Sequence, residues 1–197
     1  MSAAAEKKWF DDTLATHQQS LSNIRLIICD VDGCLTNGRK HMGDGPSTSE
    51  GDSLGSTGKS FHFLDGLGIR YAQANNIKVA LVSGDNSNAT RARAAKLGIP
   101  DELCRLVHWS EKADAIRIIQ ATHNITPAQT VIVGDDIPDL LVRKSGGLFV
   151  CPSDALFYIQ NNADLVLPRA GGHGAVRLLI DVLLMAQGNH PYEEFIK

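Results

Sequence analysis

Two rhythms of apolar residues alternate along the chain. Short, almost unbroken apolar runs at "IRLIIC", "KVALVS", "TVIVG", "LFVC" and "DLVL", with a weaker one at "LCRLV", have the length and β-branched character of strands buried on both faces. Between them, amphipathic stretches predict helices near Asp65 to Asn75, Ser87 to Leu97, Ser110 to His123, Ile137 to Lys144, Ser153 to Asn161 and Ala175 to Gln187. Gly98 and Pro100 follow one of these helices and Pro127 another, where a helix has to stop. Strands alternating with helices predict the α/β class, a Rossmann-like, doubly wound parallel sheet with helices on both faces. One stretch breaks the rhythm: "GDGPSTSEGDSLGSTGKS" is rich in Gly and Ser and poor in large apolar residues, which predicts a mobile loop.

Composition narrows the picture. At 197 residues and 43% hydrophobic, the chain suits one sizeable core, so a single domain over 1–197 is expected. A net charge of −3 gives no general attraction to nucleic acid or anionic membrane, which points to a small or specific partner. The start "MSAAAEKKWFDDTLATHQQ" is polar, and no later apolar run is long enough to span a bilayer, so a soluble cytoplasmic protein is expected. Cys29, Cys34, Cys104 and Cys151 lack zinc-type spacing and read as reduced packing thiols.

The chemistry sits where the strands end. In open α/β sheets, ligands bind outside the carboxyl ends of the strands, and "DVDG", "SGDN", the helix-starting "SEK" and "GDDIPD" all fall there. Each alone is explained by a turn or a helix cap. Together, Asp30, Asp32, Asp135, Asp136 and Asp139 would form a dense negative cluster, costly unless a cation or protons neutralise it. Oxygen ligands select a hard ion, and magnesium fits carboxylates combined with water and substrate phosphate. A carboxylate in such a place can attack phosphorus and form an aspartyl phosphate. Asp30 is the expected nucleophile, and the turn at Gly33 would bring Asp32 into the same pocket as general acid–base. Ser83 would hydrogen-bond a phosphoryl oxygen, and Lys112 would neutralise charge on the phosphate and Asp30.

The order DxDGxLT, then Ser-Gly after an apolar strand, then Lys, then GDDxxD resembles the haloacid dehalogenase-like phosphatases. The resemblance implies Asp30 as nucleophile, Asp32 as acid–base, Ser83 and Lys112 as phosphate ligands, and Gly84 beside the substrate. It implies a magnesium site made by Asp30, the backbone carbonyl of Asp32, Asp135 and Asp136. From about Ile24 to Gly188 the chain is most similar to the capless branch that includes 3-deoxy-D-manno-octulosonate 8-phosphate phosphatase, through "DVDGCLTNGR", "GKSFHFLDGLGIR", "GDDIPDL" and "AGGHGAVRLLIDVLLMAQG". Spacing agrees with a capless site: the insert after Asp32 is hairpin-sized, and only a short link separates the Leu97 helix from Lys112. In that branch a β-hairpin flap, here about 36–63 with "RKHM" and "KSFHF" as its strands, and a C-terminal tail, here 188–197, cover a neighbour's site within a homotetramer. Lys59, Asp65, Gly66 and Arg70 then match positions near the substrate entrance. The implied activity is a magnesium-dependent phosphomonoesterase acting on a sugar-acid phosphate, 3-deoxy-D-manno-octulosonate 8-phosphate first among them.

Three positions depart from that branch. Leu64, Asp85 and His173 stand where its arginines fall, and none can copy arginine's two-pronged grip on carboxylate or phosphate. Nonulosonate 9-phosphate phosphatases and a non-catalytic assembly domain therefore stay open as alternatives. His173 and Arg177 lie in a glycine-rich turn before the last helix, which reads equally as an anion-receiving helix terminus or as a plain helix start. His62 and His108 have no ligand spacing and read as surface or packing residues. A phospho-acceptor signalling domain also uses acidic residues and a lysine at a sheet mouth, but there the lysine comes last, whereas Lys112 precedes "GDD".

Overall fold

A computed structural model of the chain describes residues 2–42 and 57–190. Of the predicted mobile loop, 43–60, residues 43–56 lie outside the described residues, as does the tail beyond 190; its last part departs from the expectation, since Thr57–Gly58 is a paired strand and the Lys59 side chain is buried. The frame is a six-stranded parallel sheet in the order β5-β4-β1-β6-β7-β8. In chain order its strands are β1 (Leu26–Cys29), β4 (Lys78–Ser83), β5 (Cys104–Leu106), β6 (Thr130–Val133), β7 (Leu148–Cys151) and β8 (Leu165–Val166). β1, β6 and β7 are buried at every position, as expected of parallel strands covered on both faces.

The chain leaves β1 at the sheet centre and fills first one flank and then the other, so β1 lies between β4 and β6 at the topological switch. Register carries this through: Cys29 lies level with Leu81 of β4 and Val133 of β6. The Asp30 amide, one residue further on, donates to the Val133 carbonyl at 3.0 Å. Residues just beyond these strand ends thus share one rim, the position in which such sheets bind ligands.

Of the seven α-helices among the described residues, six match those the sequence predicts: α2 (Phe63–Ala74), α3 (Asn88–Lys96), α4 (Lys112–His123), α5 (Ile137–Leu141), α6 (Phe157–Gln160) and α7 (Ala175–Ala186). α6 is shorter than expected, because Ser153 to Ala155 turn back and Asp154 accepts the Gly171 amide at 2.9 Å. α5 ends at Leu141 and one separate tight turn, Arg143–Ser145, follows it. α7 is buried at every residue but Met185, so its two charges are paired internally: Arg177 Nε donates to Asp181 Oδ1 at 2.8 Å, and its guanidinium lies over Tyr71.

The seventh helix, α1 (Ala3–Ser22), was not foreseen. Its large apolar residues are sparse, since it packs chiefly on α7 and needs only a narrow stripe. Trp9 Nε1 donates to the Val166 carbonyl at 3.0 Å, and Arg169 grips Glu6 through two bonds of 2.7 Å. Its signals were nevertheless local: Ser2 caps it, and Lys7–Asp11 and Lys8–Asp12 pair at i,i+4.

A small antiparallel ribbon joins β2 (His41–Met42) to β3 (Thr57–Gly58). The first strand falls within "RKHM", but the return strand precedes "KSFHF", because Phe63 already opens α2. Among the described residues, the buried apolar side chains other than Leu178 form one cluster, and no helix is long and apolar enough to cross a membrane.

Candidate active site

Beyond β1 the chain makes a wide turn over Val31–Leu35, in which Asp32 stays extended (φ −83°, ψ 116°) and Gly33 takes φ 89°. Only glycine suits Gly33: its conformation is left-handed, and a β-carbon there would run into the Asp135 carboxylate. That turn aims Asp30 and Asp32 into one cavity of about 200 Å³, lined also by Ser83, Gly84, Asp85, Trp109, Lys112, Asp135, Asp136, Pro138 and Asp139. A larger cavity of about 370 Å³, between α1 and α7, contains none of the acidic cluster.

Lys112 opens α4 and is almost fully buried. Its Nζ donates at 2.7 Å to Asp30 Oδ1 and at 2.7 Å to Asp139 Oδ1. Asp139 turns its other oxygen to the Asp135 and Asp136 amides, at 3.2 and 3.4 Å, so one carboxylate fixes both the lysine and the start of α5. Cys34 Sγ reaches Asp135 Oδ1 at 3.7 Å. Ligand atoms of Asp30, Cys34 and Asp135 all fall within 4.8 Å of one another.

Three carboxylates here share one ammonium, and the balance of protons shows it. Burial, with Asp139 and Asp135 adding to it, pushes Asp30 well up against the pull of Lys112. Burial and the Asp139 charge raise Asp135 to about 7. Lys112 moves the other way from what burial alone would give, because Asp30 and Asp139 hold its proton. The lysine is therefore firmly charged, and the carboxylates remain in excess. A bound cation relieves that excess where Asp30 and Asp135 face each other. The Cys34 thiol is pushed well up by burial and then by Asp135, so it stays protonated and donates to that carboxylate. What remains is a set of oxygen donors, which fits magnesium rather than a thiolate-seeking metal.

A second ionic chain borders the pocket. Lys59, with its side chain 1% exposed, pairs with Asp32 at 2.7 Å and with Asp85 at 2.6 Å, and Lys40 takes the other Asp85 oxygen at 2.7 Å. Burial opposes ionisation of Asp85, but hydrogen bonds from Lys40 and Lys59 win and hold it at about 2. Asp85, at a position where the resembled branch has arginine, thus acts as counter-charge to two lysines. Its amide donates to Ser83 Oγ at 3.1 Å.

The structure thus brings Asp30, Asp32, Ser83, Gly84, Lys112, Asp135 and Asp136 into one cavity, with Lys59 touching it through Asp32. Asp136 is exposed and caps α5, accepting from the Ile137 amide at 2.7 Å, and it falls outside the group of converging ligand atoms. Asp65, Gly66, Arg70, His173 and Arg177 do not line the cavity. Asp65 accepts the Arg177 and Gly174 amides at 2.8 and 3.2 Å, so these two amides at the start of α7 are already taken by a protein carboxylate. Gly66 makes room for the Arg93 side chain, and Arg70 donates to the Lys96 carbonyl at 3.0 Å. His173 Nδ1 bonds the Gly171 carbonyl at 2.7 Å, within a turn whose Gly172 amide donates to the Cys34 carbonyl. That turn supports the Asp30–Leu35 loop from behind. In the sequence Asp139 stands out only as part of the charge cluster; the local signal for its role is the Asp136-x-x-Asp139 capping pattern.

Comparison with known proteins agrees with this geometry. No family model matches the chain. It is 39% identical over 171 residues to 3-deoxy-D-manno-octulosonate 8-phosphate phosphatase of Haemophilus influenzae, covering 87% of this chain and 88% of that protein. The solved phosphatase of the same name from Yersinia pestis superposes with a TM-score of 0.79 at 35% identity, over 87% of this chain and 86% of the other. That from Moraxella catarrhalis, solved with magnesium, phosphate and 3-deoxy-D-manno-octulosonate, superposes with a TM-score of 0.78 at 27% identity, over 91% and 95% of the two chains. With this identity along nearly its whole length, and with its acidic cluster on the shared sheet, the chain belongs to the haloacid dehalogenase-like 3-deoxy-D-manno-octulosonate 8-phosphate phosphatase family.

Proposed function

We propose that this protein hydrolyses 3-deoxy-D-manno-octulosonate 8-phosphate, with magnesium, through an aspartyl phosphate on Asp30. The observation that carries this reading is Asp30 itself, held by Lys112 through one oxygen and facing Asp135 at the end of the central strand. Its other oxygen is left to attack phosphorus. Asp30 and Asp135, with the backbone carbonyl of Asp32, would hold magnesium, and Asp136 would act from further out. When bound, that ion offsets the charge of the carboxylates and of the phosphoryl oxygens.

The Asp32 side chain is 28% exposed against 8% for Asp30, which suits a proton donor at the mouth beside a nucleophile deeper in. As the bond between phosphorus and the sugar oxygen breaks, Asp32 gives its proton to that oxygen. It then takes a proton from the water that attacks the aspartyl phosphate, which releases inorganic phosphate and restores Asp30. Ser83 Oγ accepts the Asp85 amide and keeps its own proton to donate to a phosphoryl oxygen. Lys59 positions Asp32 from the leaving-group side.

The family's homotetramer and a cytoplasmic location complete the reading. Phe63 and Leu64, adjacent at the start of α2 and 79% and 38% exposed, support a partner surface there. Sedimentation of the purified chain tests it, and a monomer at working concentration rejects it. Activity is tested by phosphate release from a panel of sugar phosphates with magnesium present. Turnover of octulosonate 8-phosphate above the rest is expected. Preference for a nonulosonate 9-phosphate would instead make Asp85, Leu64 and His173 the residues that redirected specificity.

A further inference from the structure

Lys112, Ser83 and the acidic cluster recognise a phosphoryl group, which every phosphomonoester carries, so these residues alone give no preference among leaving groups. Selection has to come from the part of the pocket that meets the alcohol. Among the described lining residues only Trp109 and Pro138 offer extended carbon surface, and all the others except Gly84 are acidic, basic or hydroxylic.

A single exposed apolar residue means nothing by itself. Trp109 differs in two respects. It is 52% exposed yet lies in the lining of the same cavity as Asp30 and Asp32. It is also held in place. The turn Trp109–Glu111 is closed by a reciprocal cap in which Glu111 Oε2 accepts the His108 amide at 3.0 Å and His108 Nδ1 accepts the Ser110 amide at 3.4 Å. The His108 ring packs against the indole with centroids 5.2 Å apart. The preceding residue, Val107, is tied by its amide to the Ser83 carbonyl at 3.0 Å, and Lys112 follows three residues later. The indole is thus held between Ser83 and Lys112 with about half of the residue exposed, and its N–H has no hydrogen-bond partner among the described residues.

Resting on the phosphatase reading above, we propose that Trp109 is a specificity-determining residue whose indole receives the C–H face of the sugar in the leaving alcohol. A pyranose presents such a carbon face beside its hydroxyls, and an aromatic ring fixed in advance binds it without the entropy cost of ordering a loop. The indole N–H meets a sugar hydroxyl. A small acyl or alkyl phosphate reaches Asp30 without touching the indole.

The test compares Trp109→Ala and Trp109→Phe with wild type on octulosonate 8-phosphate and on acetyl phosphate. Trp109→Ala should lower kcat/KM for the sugar phosphate about tenfold, through KM, and leave acetyl phosphate turnover unchanged. Trp109→Phe should recover most of the loss. An equal loss on both substrates would mean that Trp109 acts by placing Lys112, and no loss on either would mean that it faces only water; both overturn the proposal. If wild type ignores octulosonate 8-phosphate, the substrate reading fails separately, and the same comparison is made with the sugar phosphate it hydrolyses best. A wild type active on acetyl phosphate but on no sugar phosphate overturns both.

Discussion

Asp30 and Asp65 are both buried aspartates beside a glycine turn, and burial raises the proton affinity of both, yet their surroundings differ in kind. Asp65 spends its two oxygens on two backbone amides at the start of α7, and no second carboxylate among the described residues competes for them. Asp30 gives one oxygen to a lysine that Asp139 also claims, and it faces Asp135. The first carboxylate is closed and holds the fold together. The second belongs to a cluster with more negative charge than its single lysine balances, which is the condition a phosphoryl group and a cation exploit. Burial and residue type do not separate these roles; the count of donors against charges does.

Substitutions that break this contrast should act on opposite properties. The largest effect is expected from Asp30→Asn: phosphate release falls to background while circular dichroism stays native, and the metal-free variant melts at or above wild type, because one of the repelling charges is gone. Normal turnover by Asp30→Asn refutes the nucleophile. EDTA should silence wild type, with magnesium restoring it, and activity that survives chelation removes the metal from the reading. Asp139→Asn comes next. It leaves Lys112 with one anchor, so kcat should fall about 10–100-fold with little change in KM; an unchanged kcat would show that Asp30 alone places the lysine.

Asp65→Ala should do the reverse. Two buried amides lose their acceptor, which costs about 1–3 kcal/mol in urea unfolding, while kcat per folded molecule holds. A loss of kcat without a loss of stability returns Asp65 to the substrate site. The smallest effect concerns Asp85. Its acidity is raised by Lys40 and Lys59, so its folded value of about 2 lies below the ordinary 3.8. Its contribution to stability is fully present above the ordinary value and is lost as pH falls through about 2. Melting temperature against pH should therefore fall less steeply in Asp85→Asn than in wild type over that acid window, and parallel curves would show the ion pairs to be idle.

Much of this was legible without coordinates. Asp30, Ser83 and Asp135 were found because each sits at or just beyond the end of an apolar run, and a parallel strand delivers that residue to the ligand-binding rim whatever its neighbours do. α1 left weaker marks, since a helix that covers another helix keeps most of its surface polar. The likeness to known sequences placed Asp65 and Arg70 near the substrate entrance, and the helix-terminus rule offered Arg177 as one reading of an anion site; the structure gives these residues a helix cap, a tie to the end of α3 and a paired core charge.

Periodicity and the order of polar motifs determined the sheet, its helices and the rim that carries the acidic residues, because those features follow from hydrogen bonding and burial within a few residues of sequence. Which carboxylates compete for Lys112, which one caps α7, and that a half-exposed Trp109 lines the same cavity as Asp30 were settled only in three dimensions. These contacts join residues 27 to 112 positions apart, or depend on which face of a turn remains open once the sheet has closed around it. No local pattern encodes such distances; packing of the helices onto the twisted sheet does.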